Sequence, residues 1–305
     1  MKRPRLLASM LLAAISTISC HDAPTRPVQD PGEPIDSKIL VTLSERLNGR
    51  SLLMRCRTER VYGCINYQIE FSTARWGSTV MVNFRDITIG GICFTAIGPA
   101  TCTIDLGSLS PGTYPLVFGV RTGTTKANLI VTNDAYTIVP IQAGGVSFPS
   151  PVLRRIPDGT IWGLMGSLVP PYYPGFAEFD TLANAFLDSL AAHGAEPAAL
   201  APGNYGAFQI DSTGTLQWPG ITGYYFSQTY VRHYSGTSGP LHDLVDYFGR
   251  TASQSISIQL YTWRGEWYAS WLAAPAPVRR DEMSERFDAS GWAGRSRNAR
   301  FRNLQ

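Results

Sequence analysis

Thr113-Tyr-Pro-Leu-Val-Phe-Gly-Val120, followed after a six-residue gap by Ala127-Asn-Leu-Ile-Val131, carries its apolar side chains mainly at every second position. That two-residue period belongs to a strand with one buried face. The same pattern extends outward to Ile39-Leu-Val-Thr-Leu43, to Cys64 through Phe71 and to Thr79 through Phe84. Asn48-Gly49, Gly90-Gly91, Ser110-Pro111-Gly112 and Asn133-Asp134 punctuate these runs with residues that suit tight turns. No segment between residues 38 and 140 shows a convincing 3.6-residue apolar period. About eight regularly spaced strands without a helix predict a β-sandwich of immunoglobulin-like architecture over residues 38–140.

The periodicity changes beyond Pro140, Gly144-Gly145, Pro149 and Pro151. Phe179, Leu182, Ala183, Phe186, Leu187 and Leu190 follow helical spacing with one apolar face. His193-Gly194 suits the negative end and left-handed cap of that helix. A second helix is expected from Ser238-Gly239 to Phe248, closed by Gly249, with a stripe of Leu241, Leu244, Val245 and Phe248. Strands are expected at Thr160–Gly163, Tyr205–Ile210, Gly223–Tyr234, Ser255–Tyr261 and Glu266–Leu272. Residues 150–273 therefore predict an α+β domain, two helices on an antiparallel sheet, and the whole chain is mostly β.

The ends differ from the body. The 305 residues are 44% hydrophobic and 16% charged, which suits about two folded domains rather than a disordered chain. The formal net charge of +3 does not describe the folded part. Lys2, Arg3 and Arg5 at one end, and seven arginines against four acids from Arg279 onward, leave residues 20–278 net acidic. A nucleic-acid partner would require a basic stripe on the folded body, so none is expected. Met1-Lys-Arg-Pro-Arg5 followed by the apolar Leu6–Ile15 and small residues predicts a signal peptide over residues 1–19. Residues 20–37, with Pro24, Pro27, Pro31 and Pro34, predict a semi-rigid extended tether. Residues 274–305 mix arginine with acids, Ser and Asn and predict a disordered tail.

Five cysteines sharpen the expectation of export. Four of them, Cys56, Cys64, Cys93 and Cys102, lie in the body and can all pair as disulfides, which leaves Cys20 as the odd one. Four cysteines allow three connectivities; pairing within sequence neighbours, Cys56 with Cys64 and Cys93 with Cys102, is the economical one. A metal site is not expected, because the spacings are not those of metal motifs and the region has no His.

Thr17-Ile18-Ser19-Cys20 resembles the lipobox of bacterial lipoproteins at Ser19 and Cys20, departing from it at Thr17 and Ile18. The resemblance implies lipid on Cys20 and, through it, a membrane as partner; the alternative is plain cleavage after Ser19. Ile104-Asp-Leu-Gly-Ser-Leu-Ser-Pro-Gly-Thr-Tyr114 is similar to the edge that enters the penultimate strand in many secreted sandwich modules. With Arg155-Ile-Pro-Asp-Gly-Thr-Ile-Trp-Gly163, it resembles two-domain secreted lipoproteins of the Bacteroidota type. That resemblance implies an exported location at the outer membrane or cell surface, and it carries no established activity.

Chemistry-bearing residues are few. His233, His242 and Asp243 form the one constellation that would suit a hydrolase, although His242, Asp243 and Asp246 also read as the solvated face of a helix. No nucleophile elbow, phosphate loop, zinc-protease helix or calcium loop occurs, and no cofactor is expected. The hairpin around Arg264-Gly265 carries Tyr261, Trp263, Trp267, Tyr268 and Trp271. A two-residue turn there would set Thr262 opposite Trp267 and turn Trp267 and Trp271 into the core. Tyr261, Trp263 and Tyr268 would then share the other face, as a second packed layer or as a platform for a sugar ring. The functional expectation is thus an envelope lipoprotein that binds or scaffolds a surface glycan or protein, with a carbohydrate-binding module and a hydrolase as alternatives.

Overall fold

The computed structural model describes residues 32–89, 92–94, 96–121, 123–167, 178–218, 224, 226–252 and 255–272. The expected signal peptide, Cys20, most of the tether and the arginine-containing tail lie outside them.

The first half is one large mixed sheet. Its strands are β1 (Glu33–Pro34), β2 (Ile39–Arg46), β3 (Ser51–Tyr62), β4 (Tyr67–Trp76), β5 (Thr79–Ile89), β6 (Gly98–Gly107), β7 (Gly112–Val120), β8 (Gly123–Val131), β9 (Ala135–Gln142), β10 (Val146–Ser150) and β11 (Val152–Arg154). The hydrogen-bonded order runs β10-β2-β3-β6-β4-β5-β7-β8-β9-β11, with β1 added against β5. β10 and β11 are separated by Pro151 alone, yet they sit at opposite ends of this path. The sheet must therefore curl until its two edges meet, and it closes over a single core. Val41, Met54, Phe118, Leu129 and Tyr136 are buried together there, contributed by strands from both halves of the path. Strand structure continues past residue 140, through β10 and β11.

The second half follows with β12 (Thr160–Ser167), α1 (Phe179–Ala192), β13 (Glu196–Pro197), β14 (Gly203–Asn204), β15 (Gln209–Ile210), β16 (Leu216–Gln217), β17 (Phe226–His233), α2 (Ser238–Thr251), β18 (Ser257–Thr262) and β19 (Trp267–Ala269). A five-stranded antiparallel sheet, β13-β17-β12-β18-β19, forms its centre. β12 is buried along its whole length, as a central strand covered on both faces must be. Ile161 and Met165 face α1 and α2, packing with Phe186, Leu190, Leu241 and Phe248. Trp162 faces the other way and packs with Tyr205, Phe208 and Ile210 of the small β14-β15-β16 sheet. The two helices thus cover one face, and the small sheet covers the other.

α1 ends as its sequence dictates. Gly194 adopts φ +87°, and Ala195 N–H returns to Leu190 O at 3.0 Å. α2 runs three residues beyond Phe248, with Gly249 buried inside it rather than closing it.

The two halves are fastened through charge. Arg50 donates to Glu45 at 3.0 Å, to Asp158 at 2.6 Å and to the Ile156 carbonyl at 2.7 Å. The Glu45 side chain is only 4% exposed and also accepts from the Tyr136 hydroxyl at 2.9 Å. Arg155 lies 3.4 Å from the same carboxylate and stacks its guanidinium over the Tyr136 ring.

Candidate ligand-binding edge

The hairpin β18–β19 decides where the aromatic side chains go. Thr262 O accepts from Gly265 N–H at 2.9 Å, and Thr262 N–H donates to Glu266 O at 3.0 Å. Gly265 sits at φ +82°, where an extra residue enters the turn. The register is therefore Tyr261↔Trp267, Leu260↔Tyr268 and Gln259↔Ala269, one residue from that of a two-residue turn. The shift exchanges faces. Trp267 and Trp271, expected in the core, are 44% and 48% exposed.

Tyr268 turns to the helix side, its ring 5.2 Å from His242. Trp263 is half-buried beneath the Arg264 guanidinium, 4.8 Å from its ring centre. The expected platform of Tyr261, Trp263 and Tyr268 is thus split between two faces and largely covered.

A different aromatic array replaces it. Trp162, buried in the centre of the sheet, stacks on Tyr261 at 5.8 Å with planes 14° apart. Tyr261 stacks on Trp267 at 6.2 Å, and Trp267 meets Trp271 edge-on at 6.1 Å. Trp218 tilts against Tyr261 at 5.2 Å. Rings at these separations attract one another beyond the area they bury. The column starts in the core and ends on two solvent-facing indoles, Trp267 on the edge strand β19 and Trp271 in the 3-10 turn Ser270–Leu272 that follows it.

Hydrogen-bonding groups run beside it. The Tyr261 hydroxyl donates to Gln259 Oε1 at 3.1 Å, and Gln259 Nε2 donates to the Tyr224 hydroxyl at 3.2 Å. That hydroxyl lies 3.2 Å from Ser257 Oγ. Burial pushes the Tyr261 hydroxyl pKa up, so it stays a neutral donor at any physiological pH.

The histidines do not meet. His233 ends β17 on the small-sheet face, and Gly159 at φ +79° makes room for its ring. His242 is exposed on α2, 3.6 Å from Asp243 and against Tyr268 of β19. Two strands, β12 and β18, separate β17 from β19, which is about 14 Å at ordinary strand spacing, and the two rings lie on opposite faces. Acid–base partners must come within hydrogen-bond reach of one reacting group. The hydrolase constellation of His233, His242 and Asp243 is not assembled. His193 is engaged at its own helix end, its Nδ1–H donating to Ser189 O at 2.7 Å. Among the described residues no group of three His, Cys, Asp or Glu side chains could hold a metal ion.

The cysteines follow the sheet rather than the sequence. Cys64 is bonded to Cys93, across 29 residues, which overturns the pairing of sequence neighbours. Cys56 and Cys102 are unbonded and stand directly opposite each other on β3 and β6. A hydrogen bond to Cys102, then burial, holds the Cys56 thiol well above its ordinary pKa.

A groove of about 300 Å³ opens at the junction of the two halves, lined by Thr42, Glu45, Arg55, Ile156, Asn204 and Tyr205. Its one carboxylate is already matched by Arg50, Arg155 and Tyr136, so the edge carrying Trp267 and Trp271 is the better candidate. No family profile, curated protein or solved structure matches the chain.

Proposed function

We propose that the chain is an exported bacterial envelope protein, joined to a lipid-anchored Cys20 by its proline-rich tether. Its role in this proposal is binding or scaffolding at the outer membrane or cell surface, with a carbohydrate taken at the edge of Trp267 and Trp271. The first half is proposed to be an immunoglobulin-like sandwich, a class consistent with the curled sheet and single core. The two-domain Bacteroidota-type lipoproteins are the proposed relatives.

One observation carries the binding role: two tryptophans exposed by nearly half, in edge contact, continuing a stacked column from the core. A contiguous exposed apolar patch, unlike a single exposed side chain, marks an interaction site. Backing by Tyr261 and Trp162 holds the platform in place, so little ordering entropy is lost when a ligand stacks on it. The apolar face of a sugar ring fits such a surface, and the half-buried Gln259 and Tyr224 supply neighbouring polar groups for its hydroxyls.

A glycan array identifies the ligand, and titration calorimetry with the best glycan tests the site. Trp267→Ala and Trp271→Ala are each expected to weaken binding about tenfold, the scale of a lost interface anchor. Trp76→Ala, an exposed indole on β4, is expected to leave affinity unchanged. Binding that survives both edge substitutions defeats the assignment. The anchor is tested separately by mass spectrometry of native material, which should begin at a lipid-modified Cys20.

A further inference from the structure

At one end of the first sheet lies an apolar surface that the carbohydrate site does not use. Ile92, Phe94 and Ile97, in the connection from β5 to β6, are 83%, 64% and 77% exposed. Val61 at the end of β3 and Ile65 just after it are exposed beside them, and Cys64–Cys93 ties the two segments together. Large aliphatic and aromatic side chains at this density on a loop mark a contact surface.

Three further observations say what covers it. The sequence holds no charged residue between Asp86 and Asp105, nor between Arg60 and Glu70. A protein-facing rim would carry polar or charged groups, whereas hydrocarbon tolerates none. Part of the backbone of the tip is satisfied internally. Asn66 Nδ2 donates to Ile92 O at 2.8 Å, Asn66 Oδ1 accepts from Phe94 N–H at 3.1 Å, and Ile65 N–H reaches Phe94 O at 3.3 Å. Unsatisfied backbone groups are the main barrier to placing a loop in lipid, and one asparagine side chain removes two of them.

The third observation is the direction of β1. It runs antiparallel to β5, with Glu33 opposite Ile87 and Pro34 opposite Asp86, so the N-terminal end of β1 lies toward this end of the sheet. The twelve steps from Cys20 to Gly32 span at most roughly 40 Å when fully extended.

We infer that the Ile92–Phe94–Ile97 tip inserts into the surface of the bilayer, seating the domain against the membrane. The inference rests on the proposed lipid at Cys20 for the side of the molecule that faces the membrane. The tip, however, binds lipid in its own right. One acyl-bearing residue and one apolar tip are two signals on one molecule, which makes attachment lasting where a single weak one is reversible.

The test uses the full mature chain with Cys20→Ser, so that no acyl chain contributes, and vesicles of phosphatidylethanolamine and phosphatidylglycerol. Co-sedimentation with vesicles is expected, and it should change little with added salt because no cation lies at the tip. Phe94→Ser with Ile97→Ser should lower the partition coefficient at least about tenfold, with thermal stability unchanged because both side chains are exposed. Phe94→Trp should give a blue shift in emission when vesicles are added. Absence of vesicle binding by the Cys20→Ser chain overturns the inference. So does equal binding by the double variant, or a dimer that the double variant dissolves, which would assign the tip to self-association. An unlipidated Cys20 in native material with vesicle binding intact would refute the anchor and leave the tip standing.

Discussion

Cys56 and Cys102 show what a single residue pair owes to sheet register. Cross-strand partners in an antiparallel ladder have Cα atoms about 4.5–5.5 Å apart, within the window for a disulfide. Cys102 is half-buried and Cys56 fully buried, so an external disulfide oxidant meets Cys102 first. Exchange would leave Cys102 in a mixed disulfide, and the Cys56 sulfur, giving up its proton, would displace the reduced oxidant. Protein recovered from an oxidising compartment and denatured without reductant is therefore expected to offer no alkylatable thiol at Cys56 or Cys102. Protein made in a reducing compartment should offer both. The crosslink closes only the chain between it and Cys64–Cys93, so Cys56→Ser should cost oxidised protein about 3 kcal/mol in denaturant unfolding. Sequence alone favours the shortest loops, and hence the wrong partners. Which cysteines meet depends on β3 lying beside β6, a pairing of segments about 50 residues apart, and nothing local encodes it.

Elements were legible where their signals were local, and the hairpin where one residue decides everything was not. α1 could be read from its apolar stripe and from His193-Gly194, both of which act within a turn. β3, by contrast, hides its alternation behind Arg55, Arg57 and Arg60, which point to solvent while Met54, Cys56 and Thr58 are buried. At β18–β19 the strands were legible but the face was not, because Gly265 inserts a residue at positive φ and turns the indoles outward. A neighbouring glycine gives a sharper test of the same sheet. A Cβ on Gly163 of β12 would lie 2.0 Å from Gln259 O and 2.4 Å from the Tyr230 hydroxyl. That empty space lets the Tyr230 hydroxyl cross the strand and donate to Gln259 O at 3.0 Å. Gly163→Ala must push the strands apart or break this buried bond, and should cost about 3 kcal/mol. Thermal or urea unfolding measures it; a loss below about 1 kcal/mol would mean the ring moves aside freely.

At the scale of the molecule, the curled sheet places β2 and β11 side by side, and the residues that leave them build the joint with the second half. Hydrophobic periodicity marks a change near residue 150 but says nothing about how the halves attach, since the attachment is made by Glu45, Arg50, Arg155, Asp158 and Tyr136. Each of these reads in sequence as an ordinary surface residue or strand aromatic. Tyr136 reports on the joint because burial, and after it the Glu45 carboxylate, push its hydroxyl pKa up to about 12 from an ordinary 10.0. A folded-state pKa above the unfolded one means the fold holds the proton that the unfolded chain releases. The contribution is complete below pH 10 and is lost as pH rises from 10 toward 12, at up to about 1.4 kcal/mol per pH unit for one proton. Tyr230 and Tyr261 are raised by burial as well, so the native protein should lose stability steeply in this window. Tyr136→Phe keeps the ring beneath Arg155 and removes one titrating group. Its stability curve, from urea unfolding at successive pH values, should fall less steeply than the native one between pH 10 and 12. Below pH 9 it should run parallel to the native curve, displaced by the lost hydrogen bond to Glu45. Curves that stay parallel through pH 12 would show that Tyr136 ionises equally in both states, and that water reaches the joint.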